Sequence, residues 1–154
     1  MSNTDWAYSS YDLVMEFHKT FGCSIGRGIH DPHDRALRVG LIREELRELA
    51  DALDAEDLVE VADALGDLDY VVNGAAIAFG IDLPAVTREI HRSNMTKLMP
   101  DGTAKLREDG KVLKGPNFEL PNLRRVLYGD EEGYAEEATG YQEAYQEPDP
   151  EEER

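Results

Sequence analysis

A chain of 154 residues is long enough for one domain with its own core and too short for two comfortable ones. With 16 basic against 33 acidic residues the formal charge is −17, which argues against duplex nucleic acid or an anionic membrane surface as the main partner. The charge is uneven: 11 acidic residues and one basic residue, Arg154, fall between Gly129 and Arg154, leaving 22 acidic and 15 basic groups, a net of −7, on the rest.

Cys23 is the single cysteine, so neither an intramolecular disulfide nor a Cys-based zinc site is expected, and the setting reads as reducing and cytoplasmic. No charged-then-apolar leader opens the sequence and no apolar run is long enough to span a bilayer, so a soluble protein is expected, with no membrane partner.

The first helix is expected in "SSYDLVMEFHKTFG", with Ser9 or Ser10 as N-cap, Leu13, Val14 and Phe17 on the apolar face, and Gly22 as the stop. A glycine-bearing loop leads to a second helix opening at Asp31 or Asp34, where Pro32 suits the first turn. Its apolar face is Leu37, Leu41, Ile42, Leu46, Leu49 and Leu53, and Asp54 is the expected cap of the helix that follows. The third helix, "DLVEVADALGDLDYVVNGAAIAFG", is expected to bury Leu58, Val61, Ala62, Leu65, Leu68, Val72, Ala75, Ala76 and Phe79 and to stop at Gly80. The fourth starts from Asp82 and ends before Pro100. Beyond it, turn pairs Asp101-Gly102 and Asp109-Gly110 predict an irregular Lys/Gly-rich loop, a hairpin at most, ending in a short helical turn. The pattern is all-α, four main helices in a domain over residues 1–128, followed by an acidic tail, 129–154, expected to be disordered or weakly helical.

The stretch "REELREL" holds the chemistry. On a helix each residue advances by about 100°, so Glu44, Glu45 and Glu48 project within one sector and repel each other. The third helix adds Glu60, Asp63 and Asp67 at spacings of three and four on one stripe. Two acidic stripes on consecutive antiparallel helices face each other, and oxygen-only ligation by several carboxylates is what Mg²⁺ or Mn²⁺ prefers. A solvated acidic surface is the plain alternative, with Arg43 and Arg47 paired to Glu48 or Asp51.

The combination of "EELRE" at 44–48, "EVAD" at 60–63, "ADALGDLDYVVNGAAIAFGID", "EIHRSNMTK" and "DGKVLKGPNF" resembles the all-α nucleoside triphosphate pyrophosphohydrolase superfamily, MazG-like and HisE-like. The likeness runs from about Tyr11 to Leu123 and is strongest to the dUTP/dCTP-preferring and phage MazG-like branch. That superfamily carries EExxE on one helix and ExxD on the next. Here the second half fits in either of two registers, Glu60 with Asp63 or Asp63 with Asp67.

The resemblance implies hydrolysis of a (deoxy)nucleoside triphosphate to the monophosphate and pyrophosphate, in nucleotide-pool control. It implies two or three Mg²⁺ or Mn²⁺ ions per site, with Glu45, Glu48, Glu60, Asp63 and Asp67 as candidate ligands and Glu44 beside the attacking water. Phosphate donors are expected from Arg92, Asn94, Lys97, Lys111 and Lys114, the Lys-rich loop acting as a mobile lid. Phe17, His18, Tyr70 and Asn73 are the candidates for base and sugar, His18 equally readable as a surface residue. Two other readings are phosphoribosyl-ATP as substrate and a non-catalytic acidic helical module. Small residues Gly74, Ala75, Ala76 and Ala78 allow close helix approach, and a homodimer or dimer of dimers is expected.

Overall fold

Side-chain caps set the helix boundaries in the computed structural model, which describes residues 8–129 and is all-α. Ser9, Asp31, Asp57, Asp82 and Asn122 each accept from first-turn amides, opening α1 (Ser10–Phe21), α2 (Pro32–Asp54), α3 (Leu58–Phe79), α4 (Leu83–Met95) and α5 (Leu123–Tyr128). Ser9 and Asp12 complete a reciprocal capping box, and Pro32 occupies the first turn of α2. The cap of α3 is Asp57. Asp54, expected in that role, is instead the last residue of α2, because the chain needs the three residues 55–57 to reverse. Glu56 takes a left-handed φ of 54° in that turn.

The turn folds α2 back along α3, and α1 also packs against α3. The loop after α1 closes onto the far end of α3: Gly26 N–H donates to the Ile77 carbonyl and Arg27 N–H to the Ala78 carbonyl, each at 2.9 Å. A Cβ on Gly80, itself left-handed at φ 77°, would stand 3.3 Å from Gly26 Cα. α4 then leaves α3 at a bend of 111°. No single helix among the described residues is long and apolar enough to cross a membrane.

The segment after α4 is fixed to that helix. Gly115 N–H donates to the Lys97 carbonyl at 3.0 Å, Ser93 Oγ to the Glu119 carbonyl at 2.7 Å, and Glu119 N–H to Thr96 Oγ1 at 2.9 Å. Between these anchors a tight turn at Asp109-Gly110 brings Leu106 and Val112 into a single antiparallel bridge, and no longer strand forms among the described residues. Apart from Gly129, the residues of the expected acidic tail lie outside those described.

The enclosed apolar core is small: Val14, Ala52, Ala64, Ala76, Ile77 and Ala78. Much of the expected apolar face is open. Leu37, Leu46 and Leu53 of α2, and Leu58, Ala62, Leu65 and Val72 of α3, are exposed, with Leu58 at 80%. The periodicity of both helices is intact, but α3 is covered by α1 and α2 on only part of its circumference. Val39, Leu46 and Leu53 therefore form one exposed stripe at seven-residue intervals, and Leu58, Leu65 and Val72 form another.

Candidate functional site

Glu45 lies on the line of α2 that packs against α3. Arg38, seven residues before it, and Ala52, seven after it, are both buried on that line. A carboxylate in this half-buried position is pushed above its usual pKa, first by partial burial and then by the charges of Glu48, Asp67, Glu44 and Asp63. Carboxylates from two helices thus act on one group, and the antiparallel α2–α3 pair is what brings them there.

The packing sets two of the three α3 candidates within electrostatic reach of Glu45. Asp63 and Asp67 are the α3 groups that act on Glu45, whereas Glu60 is not among its charged neighbours. Glu60 sits in the first turn of α3, where its amide bonds the Asp57 cap. Arg43 and Arg47 form no ion pair with Glu48 or Asp51 among the described residues, so the expected surface pairing does not neutralise the cluster. Nor do any three His, Cys, Asp or Glu side chains of the described residues converge closely enough to chelate an ion. Exposed like charges with no counter-charge turn apart, and Glu44, Glu48, Asp63 and Asp67 are all at the surface, free to rotate.

A second group gathers where α1 crosses α3. The ring of Phe17 packs edge-on against Tyr70 with centroids 5.7 Å apart, tilts over Phe21 at 4.4 Å, and meets His18 at 6.4 Å. Burial, followed by the charges of Cys23 and Glu16, raises the Tyr70 phenol. His18 is 2% exposed, so its reading as a surface residue is corrected: the Ser24 carbonyl, 2.8 Å from Nδ1, draws the ring inward. Asn73 is buried as well, and its amide nitrogen donates back to the carbonyl and carboxylate of Asp69 at 2.8 and 3.0 Å. Only its oxygen is left to address another molecule. Phe21 and Arg38 belong to this neighbourhood but escaped the sequence reading.

The basic candidates lie elsewhere. Arg92 donates to both oxygens of Glu89, to Glu119 at 2.7 Å and to the Leu120 carbonyl, so its guanidinium clamps α4 to the following segment instead of standing open for phosphate. Lys114 lies 5.1 Å from the Phe118 ring centroid as a cation–π pair. The side chains of Asn94 and Lys97 make no hydrogen bond or ion pair among the described residues. Lys111 is exposed beside the Asp109 turn, its amide held by Asp109 Oδ1. The base of the Lys-rich loop is bonded to Ser93 near the end of α4 and to Thr96 and Lys97 just after it. From Asp67 to the end of α3 at Phe79 is about 18 Å of helix, and α4 begins only beyond that point.

Residues 14–94, more than half of the chain, match the sequence pattern of the phosphoribosyl-ATP pyrophosphohydrolase family. The chain belongs to this family. Its members are pyrophosphohydrolases acting on nucleotides, within the MazG-like and HisE-like superfamily. The matched residues take in both carboxylate stripes and the aromatic group, and end at Asn94, ahead of Lys97, Lys111 and Lys114. An uncharacterised protein, L479, of Acanthamoeba polyphaga mimivirus is 40% identical over 81 residues, 49% of this chain and 32% of that protein. The chain thus spans about a third of the length of that relative.

Proposed function

We propose that the protein hydrolyses a (deoxy)nucleoside triphosphate to the monophosphate and pyrophosphate, with Mg²⁺ or Mn²⁺, as part of nucleotide-pool control. The observation that carries this reading is the half-buried Glu45, surrounded by carboxylates of α2 and α3 with no cationic side chain paired to any of them among the described residues. Such an arrangement opposes folding until a counter-charge arrives, and its donors are all oxygen, the preference of a hard divalent cation. The donor chemistry suits a hard divalent ion, while the described side chains would have to rotate together to chelate one. Glu45, Glu48, Asp63 and Asp67 would hold it, with Glu60 the less favoured ligand.

A bound divalent ion would supply the positive charge that neutralises the phosphates and acidifies the attacking water. Beside it Glu44, exposed and adjacent in sequence to Glu45, orients that water and takes its proton. Phe17 and Tyr70 offer the flat apolar surface for the base. In this reading the phosphate donors Asn94, Lys97 and Lys111 act from a second copy, across the paired face. Two copies pair through the exposed stripes Val39–Leu46–Leu53 and Leu58–Leu65–Val72, as a dimer or dimer of dimers.

The test is a screen of the common ribo- and deoxyribonucleoside triphosphates plus dUTP for released pyrophosphate, with and without Mg²⁺. Pyrophosphate and no orthophosphate is expected, abolished by EDTA. Residues that only support a metal ligand already cost about 10- to 100-fold when changed, so Glu45→Gln and Glu48→Gln are expected to lose about a hundredfold or more. Full activity in either variant would remove the carboxylate cluster from the mechanism. The family's name favours a second reading, phosphoribosyl-ATP as the substrate, and the same assay run on that compound decides between them.

A further inference from the structure

Charge divides along the sequence into three zones. Residues 1–82 hold 6 basic and 17 acidic side chains, residues 83–129 hold 9 and 5, and residues 130–154 hold 1 and 11, net charges of −11, +4 and −10. The positive zone is the arm formed by α4, the Lys-rich loop and α5, and a densely acidic segment follows it directly.

The loop presents its charge as an ordered surface. Beside the Leu106–Val112 bridge, Leu113 N–H donates to the Lys105 carbonyl and Arg107 N–H to the Lys111 carbonyl, each at 2.8 Å. Side chains alternate across such a pair, so Lys105, Arg107 and Lys111 leave one face and Leu106 and Val112 the other. At the base of the loop Gly115 N–H donates to the Lys97 carbonyl, which brings Lys114 back towards Lys97. A Cβ on Gly115 would overlap the Leu98 carbonyl oxygen, so this closure needs glycine. Two of the loop's own acids are engaged locally, Asp101 by Thr103 and Asp109 by Arg107. Lys97, Lys105 and Lys114 form no ion pair among the described residues.

An occupant of matching charge lies on the same chain. α5 packs against α4, and the amide of its cap, Asn122, donates to Glu89 at 2.8 Å, so the segment beyond residue 129 departs from the arm itself. The 25 residues from 130 to 154 could span up to about 80 Å if extended. A tethered partner acts at an effective concentration of about millimolar order, which favours it over free polyanions. Its carboxylates come in clusters, Asp130, Glu131 and Glu132, then Glu136 and Glu137.

We propose that residues 130–154 dock on this basic face as an acidic strap, occupying lysines that otherwise receive polyphosphate. The competition with phosphate rests on the reading of Lys97 and Lys111 as phosphate donors, whereas the docking does not. Exposed ion pairs are weak singly and screened by salt, so the strap yields to a triphosphate and to high ionic strength.

Carbodiimide cross-linking of the full chain at low salt, mapped by peptide mass spectrometry, tests the docking. Lys19 on α1 is the internal control, because the other four lysines all belong to the arm. Links from the 130–137 carboxylates to Lys105 or Lys111 are expected to exceed those to Lys19 by about tenfold. Tripolyphosphate, or NaCl at about 0.5 M, should remove most of them. Links that do not favour the arm, or arm lysines joined instead to carboxylates of α2 and α3, overturn the docking. The second measurement uses the full chain with Asp130→Asn, Glu131→Gln, Glu132→Gln, Glu136→Gln and Glu137→Gln, its folding checked by circular dichroism. With Mg²⁺ and low salt, its KM for the triphosphate is expected to be about fivefold below that of wild type, with kcat unchanged. An unchanged KM overturns the competition with phosphate. If neither protein cleaves a triphosphate, the carboxylate reading falls and calorimetric titration with tripolyphosphate decides in its place. Binding about fivefold tighter to the variant sustains the strap, and equal affinity ends it.

Discussion

At Glu45 the fold acts against ionisation. Its pKa in the folded chain is raised above the ordinary 4.5, with partial burial as the first cause and four neighbouring carboxylates after it. A raised carboxylate pKa means that the unfolded chain gives up this proton more readily, so the ionised group opposes folding above the folded pKa, and the opposition vanishes below 4.5. Glu45→Gln is therefore expected to raise the melting temperature at neutral pH, with the gain shrinking as pH falls through this range. Mg²⁺ should raise the melting temperature of wild type and leave that of the variant nearly unchanged. Differential scanning fluorimetry over pH and Mg²⁺ checks both. The motif that exposed this residue was legible in sequence because EELRE is local, spanning little more than one turn. That Asp63 and Asp67 act on Glu45 depends on the register of α3 against α2, which no local spacing encodes.

The attachment of α4 to the segment that ends in α5 belongs to the scale of elements. Glu89 accepts from Arg92 and from the Asn122 amide, and these bonds hold its carboxyl at about 2, below its ordinary 4.5. A lowered carboxylate pKa contributes stability above 4.5 that disappears as pH falls through about 2. In Glu89→Gln the loop and α5 are expected to become protease-sensitive at pH 7. Wild type should approach the same sensitivity only as pH falls from about 4.5 towards about 2, and limited proteolysis with an acid-active protease reads the difference. The helix starts were readable in advance because Ser9, Asp31 and Asp82 cap through bonds only a few residues long. The pairing of Arg92 with Glu119 was not legible because the two lie 27 residues apart, beyond the reach of spacing arguments.

For the molecule as a whole, apolar spacing identified the α2 and α3 stripes, while the fold of one chain leaves Leu46, Leu53, Leu58 and Leu65 in water. Periodicity states that a face is to be covered, without stating whether the cover comes from the same chain. Sedimentation velocity is expected to give an assembly of two or four chains for wild type and a monomer for the double variant Leu46→Glu with Leu65→Glu. Because both leucines are exposed in the single chain, helicity by circular dichroism should be retained. A wild type that sediments as a monomer would return the whole site, lysines included, to one chain and defeat the shared arrangement.

The amides of Gly26 and Arg27 sit in a loop, yet they are bonded to the carbonyls of Ile77 and Ala78 near the end of α3. Their exchange with deuterium is thus governed by the opening of α3's last turn and not by the loop's own motion. They should stay protected for as long as the last turn of α3 does. The loop and the helix end then open as one cooperative unit, in which a stretch of irregular chain reports the stability of the longest packed helix pair in the molecule.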